Sequence, residues 1–204
     1  MKLNLPNQIT VVRLLLAIVF FVLLGQYSQK DPKPWMLDVA AAVFVVAAIT
    51  DFLDGYLARR YGMVTDLGRI LDPLVDKVLV CGAFILFVGP AFVDENGHNV
   101  TSLKAWMVVV IVARELLVTG LRGFSEAKGR AFGASLHGKI KMWMQSIAAP
   151  AILWIVAHQG TVITDPAGET AKSVLVWLTV VVTALSTIQY LLRSRYILDE
   201  GLGA

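Results

Sequence analysis

The sequence predicts an all-α, polytopic membrane protein with six transmembrane helices and a short N-terminal interfacial helix. Three observations lead there. Hydrophobic residues make up 57% of the 204 and charged residues only 16%, against about a quarter charged in ordinary soluble domains. Six apolar segments, roughly 9–26, 35–59, 69–93, 104–124, 140–158 and 172–193, each approach or exceed the ~20 residues that cross a bilayer. The basic residues fall overwhelmingly on alternate connections. A bilayer core offers the backbone no water, so such segments must satisfy their own amides as helices. A chain of this length is expected to be one domain, 1–204.

The opening LNLPNQIT sets Leu3, Leu5 and Ile9 around Pro6 and reads as the interfacial helix. The first span carries Arg13 inside its apolar run, and no small-residue cleavage site follows. It therefore reads as mature chain rather than a signal peptide. The connection QYSQKDPKP separates it from the second span, and RRYGMVTD joins the second to the third. The later breaks are VDENGHNVTS, SEAKGRAFGASLHGK and HQGTVITDPAGET, all rich in polar and turn-forming residues. No internal repeat is apparent. Cys81 is the only cysteine, which excludes an internal disulfide, and it reads as a packing residue.

Charge sets the orientation. With the N-terminus, the second and fourth connections and the C-terminus on one side, only Lys30, Lys33, Lys104 and Lys172 lie on the other. The first side then holds 14 of the 18 basic residues. The positive-inside rule makes it cytoplasmic. The expected location is the cytoplasmic (inner) membrane, with both termini and the acidic cluster described next facing the cytoplasm. The net charge of +3 is not gathered into a solvated basic tail, which argues against nucleic-acid binding.

The stretch DFLDGYLARRYGMVTDLGRILDPLVDK carries the chemistry. Asp51 and Asp54 are three apart and share a helix face, as do Asp72 and Asp76, four apart. The short connection favours antiparallel neighbours, so the four carboxylates converge. Carboxylates at membrane depth are expensive and functional by default. Left bare they would repel one another, whereas hard divalent cations take oxygen ligands, and two such ions clamp a diphosphate. Gly55 and Ala58 leave room for a ligand, Gly68 lies one turn before Asp72, and Arg59 offers a planar fork for phosphate. Alone, Gly55 and Ala58 would be ordinary close-packing residues, and Arg59 and Arg60 interfacial anchors. A small cation transporter is the rival from another class. It would spread its acids through the membrane or show repeated halves, whereas these cluster at one interface.

The pattern D-x2-D-G-x2-A-R-x8-G-x3-D-x3-D, complete from Asp51 to Asp76, resembles the signature of the CDP-alcohol phosphatidyltransferases. The resemblance implies a six-helix membrane enzyme that uses Mg²⁺ or Mn²⁺, two ions in all. It would move a phosphatidyl group from a CDP-linked lipid to an alcohol and release CMP. By position, it makes Asp51, Asp54, Asp72 and Asp76 the metal ligands and Asp76 also the base. Gly55, Ala58, Arg59 and Gly68 would line the CMP pocket. A homodimer is a further expectation from the family.

A second cluster bears on the acceptor. The fourth segment contains ARELLVTGLR, with Arg114, Glu115 and Arg122; the next connection runs into ASLHGKIK, with Lys139 and Lys141. Arg114, Arg122 and Lys139 facing an interior site would suit the phosphate of an anionic alcohol. Lys128, Arg130 and Lys141 read more readily as positive-inside anchors; Arg114, midway along an apolar segment, does not. Glu115 reads as compensating or orienting a nearby cation. These features, with the opening NLPNQITVVR, are similar to the branch of the family whose acceptor is glycerol 3-phosphate. The expected substrates are CDP-diacylglycerol and sn-glycerol 3-phosphate, within a lipid bilayer. Met142 stands where that branch often has threonine, and inositol phosphate, serine and phosphatidylglycerol remain alternative acceptors. His137 reads as a polar loop residue. With no obvious serine, cysteine or histidine nucleophile in the aspartate cage, direct attack by the acceptor hydroxyl is preferred to a covalent intermediate.

Overall fold

The computed structural model describes residues 5–61, 66–127, 136–159 and 166–193. They form six α-helices: α1 (Leu5–Gln26), α2 (Pro34–Tyr61), α3 (Asp66–Phe87), α4 (Ala105–Ala127), α5 (Leu136–Ala157) and α6 (Ala167–Arg193). A one-turn 3₁₀ helix, Pro90–Phe92, follows α3. Of the segment expected as a separate interfacial helix, the described residues, from Leu5 on, are instead the first turns of α1. Pro6 sits in the first turn, where its missing N–H forfeits no helical bond.

Among the described residues, four stretches are long and apolar enough to cross a membrane: Gln8–Gln26, Pro34–Asp51, Ile140–Ala157 and Ala167–Leu192. α3 and α4 are of similar length but carry charge, Asp72, Asp76 and Lys77 in one and Arg114, Glu115 and Arg122 in the other. α3 stops at Phe87, six residues short of the apolar run that continues to position 93. Its last carbonyl is taken from outside the helix: Asn99 Nδ2 donates to Phe87 O at 2.8 Å and Thr101 Oγ1 at 3.1 Å. The chain between turns through Gly97, whose φ of 81° suits glycine.

Burial follows the helical period. On α1, Thr10, Arg13, Ala17, Phe20 and Leu24 face inward, while Leu14, Leu15, Ile18, Val19 and Val22 are exposed. Such apolar outer surfaces belong in lipid rather than water, and the protein is an integral membrane protein. α1 packs on α2 and α3, α2 on α5, α5 on α6, and α4 on α6 and α3. The α1–α3 approach is close: a methyl at Gly82 would sit 2.5 Å from the ring tip of Phe21. The packing brings the C-terminal half of α2, the N-terminal half of α3 and the N-terminal half of α5 to one end of the bundle.

Candidate active site

At that end Asp51 of α2 and Asp76 of α3 line one cavity of about 550 Å³. α1 contributes Arg13 and α5 contributes Met142, Trp143, Ser146 and Pro150. Pro150 lies inside α5, where proline removes a backbone donor and leaves a helix less regular. Arg13 is 1% exposed, and its Nη1 donates to Asp51 Oδ1 at 2.6 Å. Below the charged rim the cavity is walled by apolar residues, among them Phe44, Ala48 and Leu79.

Asp54, Gly55, Ala58 and Arg59 lie on α2, and Gly68 and Asp72 on α3, by backbone. Their side chains fall outside the described residues, as do those of Lys139 and His137. Among the described residues no three His, Cys, Asp or Glu side chains gather to hold a metal. The described donors nevertheless fit a hard divalent cation. Asp51 and Asp76 line one space from two helices, and Asp54 and Asp72 follow or precede them by about one helical turn.

A second polar cluster lies beside the first. Arg114 and Glu115 of α4 and Lys141 of α5 are each about 5–6% exposed. Glu115 Oε1 accepts from Arg114 Nη1 at 3.0 Å and pairs with Lys141 Nζ. Arg114 Nη2 donates to Ser186 Oγ of α6 at 2.9 Å. Arg122 Nη2 donates to the Tyr190 hydroxyl at 2.7 Å, and both guanidinium groups stack over the Tyr190 ring at 5.4 and 5.6 Å. The Nε atoms of Arg114 and Arg122 are buried without a hydrogen-bond partner among the described residues. Lys141, Lys77 and Glu115 all lie within electrostatic range of Asp76.

The arrangement brings Arg114 and Arg122 together around Tyr190. Glu115 does compensate a cation, and compensates two. Lys141 departs from the anchoring expected of it: it is turned inward onto Glu115 rather than outward to the interface. Ser146, Trp143, Ser186 and Tyr190 carried no sequence signal, because each reaches the site only through the packing of α5 and α6. Cys81 lines a second cavity with Phe21, Gly82 and Ile85, whose mostly apolar wall also includes Lys77 and Glu115.

Comparison with known proteins bears on this geometry. The family model for CDP-alcohol phosphatidyltransferase matches residues 3–185. A CDP-diacylglycerol–glycerol-3-phosphate 3-phosphatidyltransferase of Bacillus subtilis is 39% identical over 157 residues, covering 74% of this chain and 76% of the relative. Proteins of the same name from Yersinia pestis and Rickettsia typhi are 34% and 31% identical, covering 94% and 92% of this chain and 94% of each relative. Members of this family generally depend on divalent metal. With its acidic pair facing a common cavity and the family model spanning most of its length, the chain belongs to the CDP-alcohol phosphatidyltransferase family.

Proposed function

We propose that this protein transfers the phosphatidyl group of CDP-diacylglycerol to sn-glycerol 3-phosphate, giving phosphatidylglycerophosphate and CMP. The observation that carries the reading is the convergence of Asp51 and Asp76 on one cavity, with buried cations next to it. The names of the relatives support the choice of substrates. Asp51, Asp54, Asp72 and Asp76 would hold divalent ions, and Gly55, Ala58, Arg59 and Gly68 would line the CMP pocket. Mg²⁺ or Mn²⁺ bound there, two ions by our reading, supplies charge neutralisation for the diphosphate and the leaving CMP oxygen.

The chain's own residues do the rest. Arg114, Arg122 and Lys139 bind the phosphate of the acceptor, and Arg114 and Arg122 each bring a buried Nε donor to that task. Asp76 takes the proton of the acceptor hydroxyl. That oxygen forms a bond to the phosphorus bearing diacylglycerol, and the bond from the same phosphorus to CMP breaks, its electron pair leaving with CMP. Positioning in a water-poor cavity supplies much of the rate. The apolar wall below Asp51 and Asp76 suits the diacylglycerol end of the substrate. The site faces the cytoplasm, since the basic residues concentrate at that end.

The test replaces each acid by its neutral isostere. Asp51→Asn and Asp76→Asn should both elute as folded protein and both lose CMP release. Asp76→Asn should lower kcat more than it raises KM for CDP-diacylglycerol, as expected for the residue that handles the proton. Excess chelator should silence the unmodified protein, and added Mg²⁺ or Mn²⁺ should restore it. Full turnover in chelator, or in Asp51→Asn, rejects the metal-assisted mechanism.

A further inference from the structure

We propose that Arg13 is a built-in cation of the diphosphate site, its guanidinium sharing Asp51 with bound metal and facing the diphosphate of the CDP-linked substrate. The inference rests on the phosphatidyl-transfer reading above and assigns a residue that the aspartate motif does not contain. Arg13 stands in an apolar run of α1, where a charge is costly unless it has a use. An arginine about two turns into a span ordinarily snorkels back to the interface. This one turns inward, is 1% exposed, and spends Nη1 on Asp51 Oδ1 at 2.6 Å. It also lines the same cavity as Asp51 and Asp76.

The plainer reading is an ion-pair staple between α1 and α2. Two observations weigh against it. α1 and α2 already share an apolar core that includes Ala17, Phe20 and Leu24 of α1 and Leu37, Ala40 and Phe44 of α2, with the Phe20 and Phe44 rings 5.5 Å apart. An ion pair whose carboxylate is a third exposed, as Asp51 is, also adds little net stability. The staple further leaves unexplained why the pair opens onto the cavity. A guanidinium carries five donors in a planar fork, so it can hold a carboxylate oxygen and a phosphate oxygen together. Its fixed positive charge would attract the diphosphate and at the same time compete with metal for Asp51. Those two effects have opposite signs, and a staple has neither.

The experiment uses the full chain in detergent. Mn²⁺ binding is read by its electron paramagnetic resonance signal without substrates, and KM is measured separately for CDP-diacylglycerol and glycerol 3-phosphate. Arg13→Met should bind Mn²⁺ more tightly, by roughly tenfold, since a unit charge beside the ligand is gone. Its KM for CDP-diacylglycerol should rise about ten- to a hundredfold, the loss of one charge-assisted contact. KM for glycerol 3-phosphate should stay within about twofold, as befits a residue on the other side of the reacting phosphorus. Arg13→Lys keeps the charge but not the fork, and should fall between the two proteins in CDP-diacylglycerol KM with Mn²⁺ binding unchanged. If Arg13→Met weakens Mn²⁺ binding, or moves both KM values together, or moves neither, Arg13 is a staple and the proposal fails. If Arg13→Met does not fold, Arg13→Lys decides by the same KM split. Unmodified protein that releases no CMP would overturn the transfer reading itself, whereas an unaltered Arg13 variant overturns only this inference.

Discussion

Removing Glu115 should damage the protein more than removing any single residue of the outer helix faces. Glu115 Oε1 is the shared partner of Arg114 and Lys141, and all three side chains are only 6–7% exposed. Glu115→Ala leaves Arg114 with its bond to Ser186 Oγ, but takes from Lys141 the carboxylate that serves as its counter-charge. Breaking a buried pair by removing one member typically costs about 3–5 kcal/mol, because a charge is left uncompensated. For a protein of this size each kcal/mol lowers Tm by roughly 2–4 °C, so the lower end already predicts a fall of about 6–12 °C. Deleting the stranded cation as well should help. Glu115→Ala combined with Lys141→Met should be more stable than Glu115→Ala alone, by about 1–2 kcal/mol of coupling. Thermal unfolding in detergent, followed by tryptophan fluorescence, reads both. A Glu115→Ala protein as stable as the original, or a double variant less stable than the single, would refute the account of a buried charge knot.

Three further outcomes follow from the same geometry. Arg114→Ala should raise KM for glycerol 3-phosphate about ten- to a hundredfold while leaving that for CDP-diacylglycerol nearly unchanged; equal shifts in steady-state assays would remove Arg114 from the acceptor site. Ser146 lines the cavity, yet direct attack needs no serine, so Ser146→Ala should keep most of its kcat, and complete loss would favour a covalent route. Lys172 is buried at the opposite end of the bundle, where it donates to Val100 O and pairs with Glu169 at 2.6 Å; Lys172→Met should cost about 2 kcal/mol in thermal unfolding without changing either KM.

The convergence of Asp51 and Asp76 on one cavity was legible because its signal is local. Spacings of three and four place acids on helix faces, and acids in apolar segments are rare enough to stand out. Arg13 was visible by the same logic, as a charge in an apolar run, but its partner thirty-eight positions away was not. Lys141 misled for a related reason. A lysine near the start of a span is ordinarily an interfacial anchor, and only the assembled bundle reveals Glu115 of α4 beside it. Tyr190 and Ser186 were silent, since nothing in the periodicity of α6 distinguishes a ring or hydroxyl facing arginines from one facing lipid. The end of α3 was misjudged because its stop is supplied from Asn99 and Thr101, twelve and fourteen residues further on, while apolar character alone runs past it. Helix number and the acidic face are therefore properties of short windows; helix ends and the partners of buried charges are properties of the assembled bundle.

The central claim is phosphatidyl transfer to a phosphorylated alcohol, and CMP release across a panel of acceptors tests it most directly. The purified protein with CDP-diacylglycerol and Mg²⁺ or Mn²⁺ would be offered glycerol 3-phosphate, glycerol, serine, inositol phosphate and phosphatidylglycerol in turn. The account predicts rapid CMP release with glycerol 3-phosphate, phosphatidylglycerophosphate as the lipid product, and very little turnover with glycerol, which would leave Arg114 and Arg122 without their anion. Equal use of glycerol or serine would contradict the anionic acceptor site, and no CMP release with any alcohol would contradict the transfer reaction.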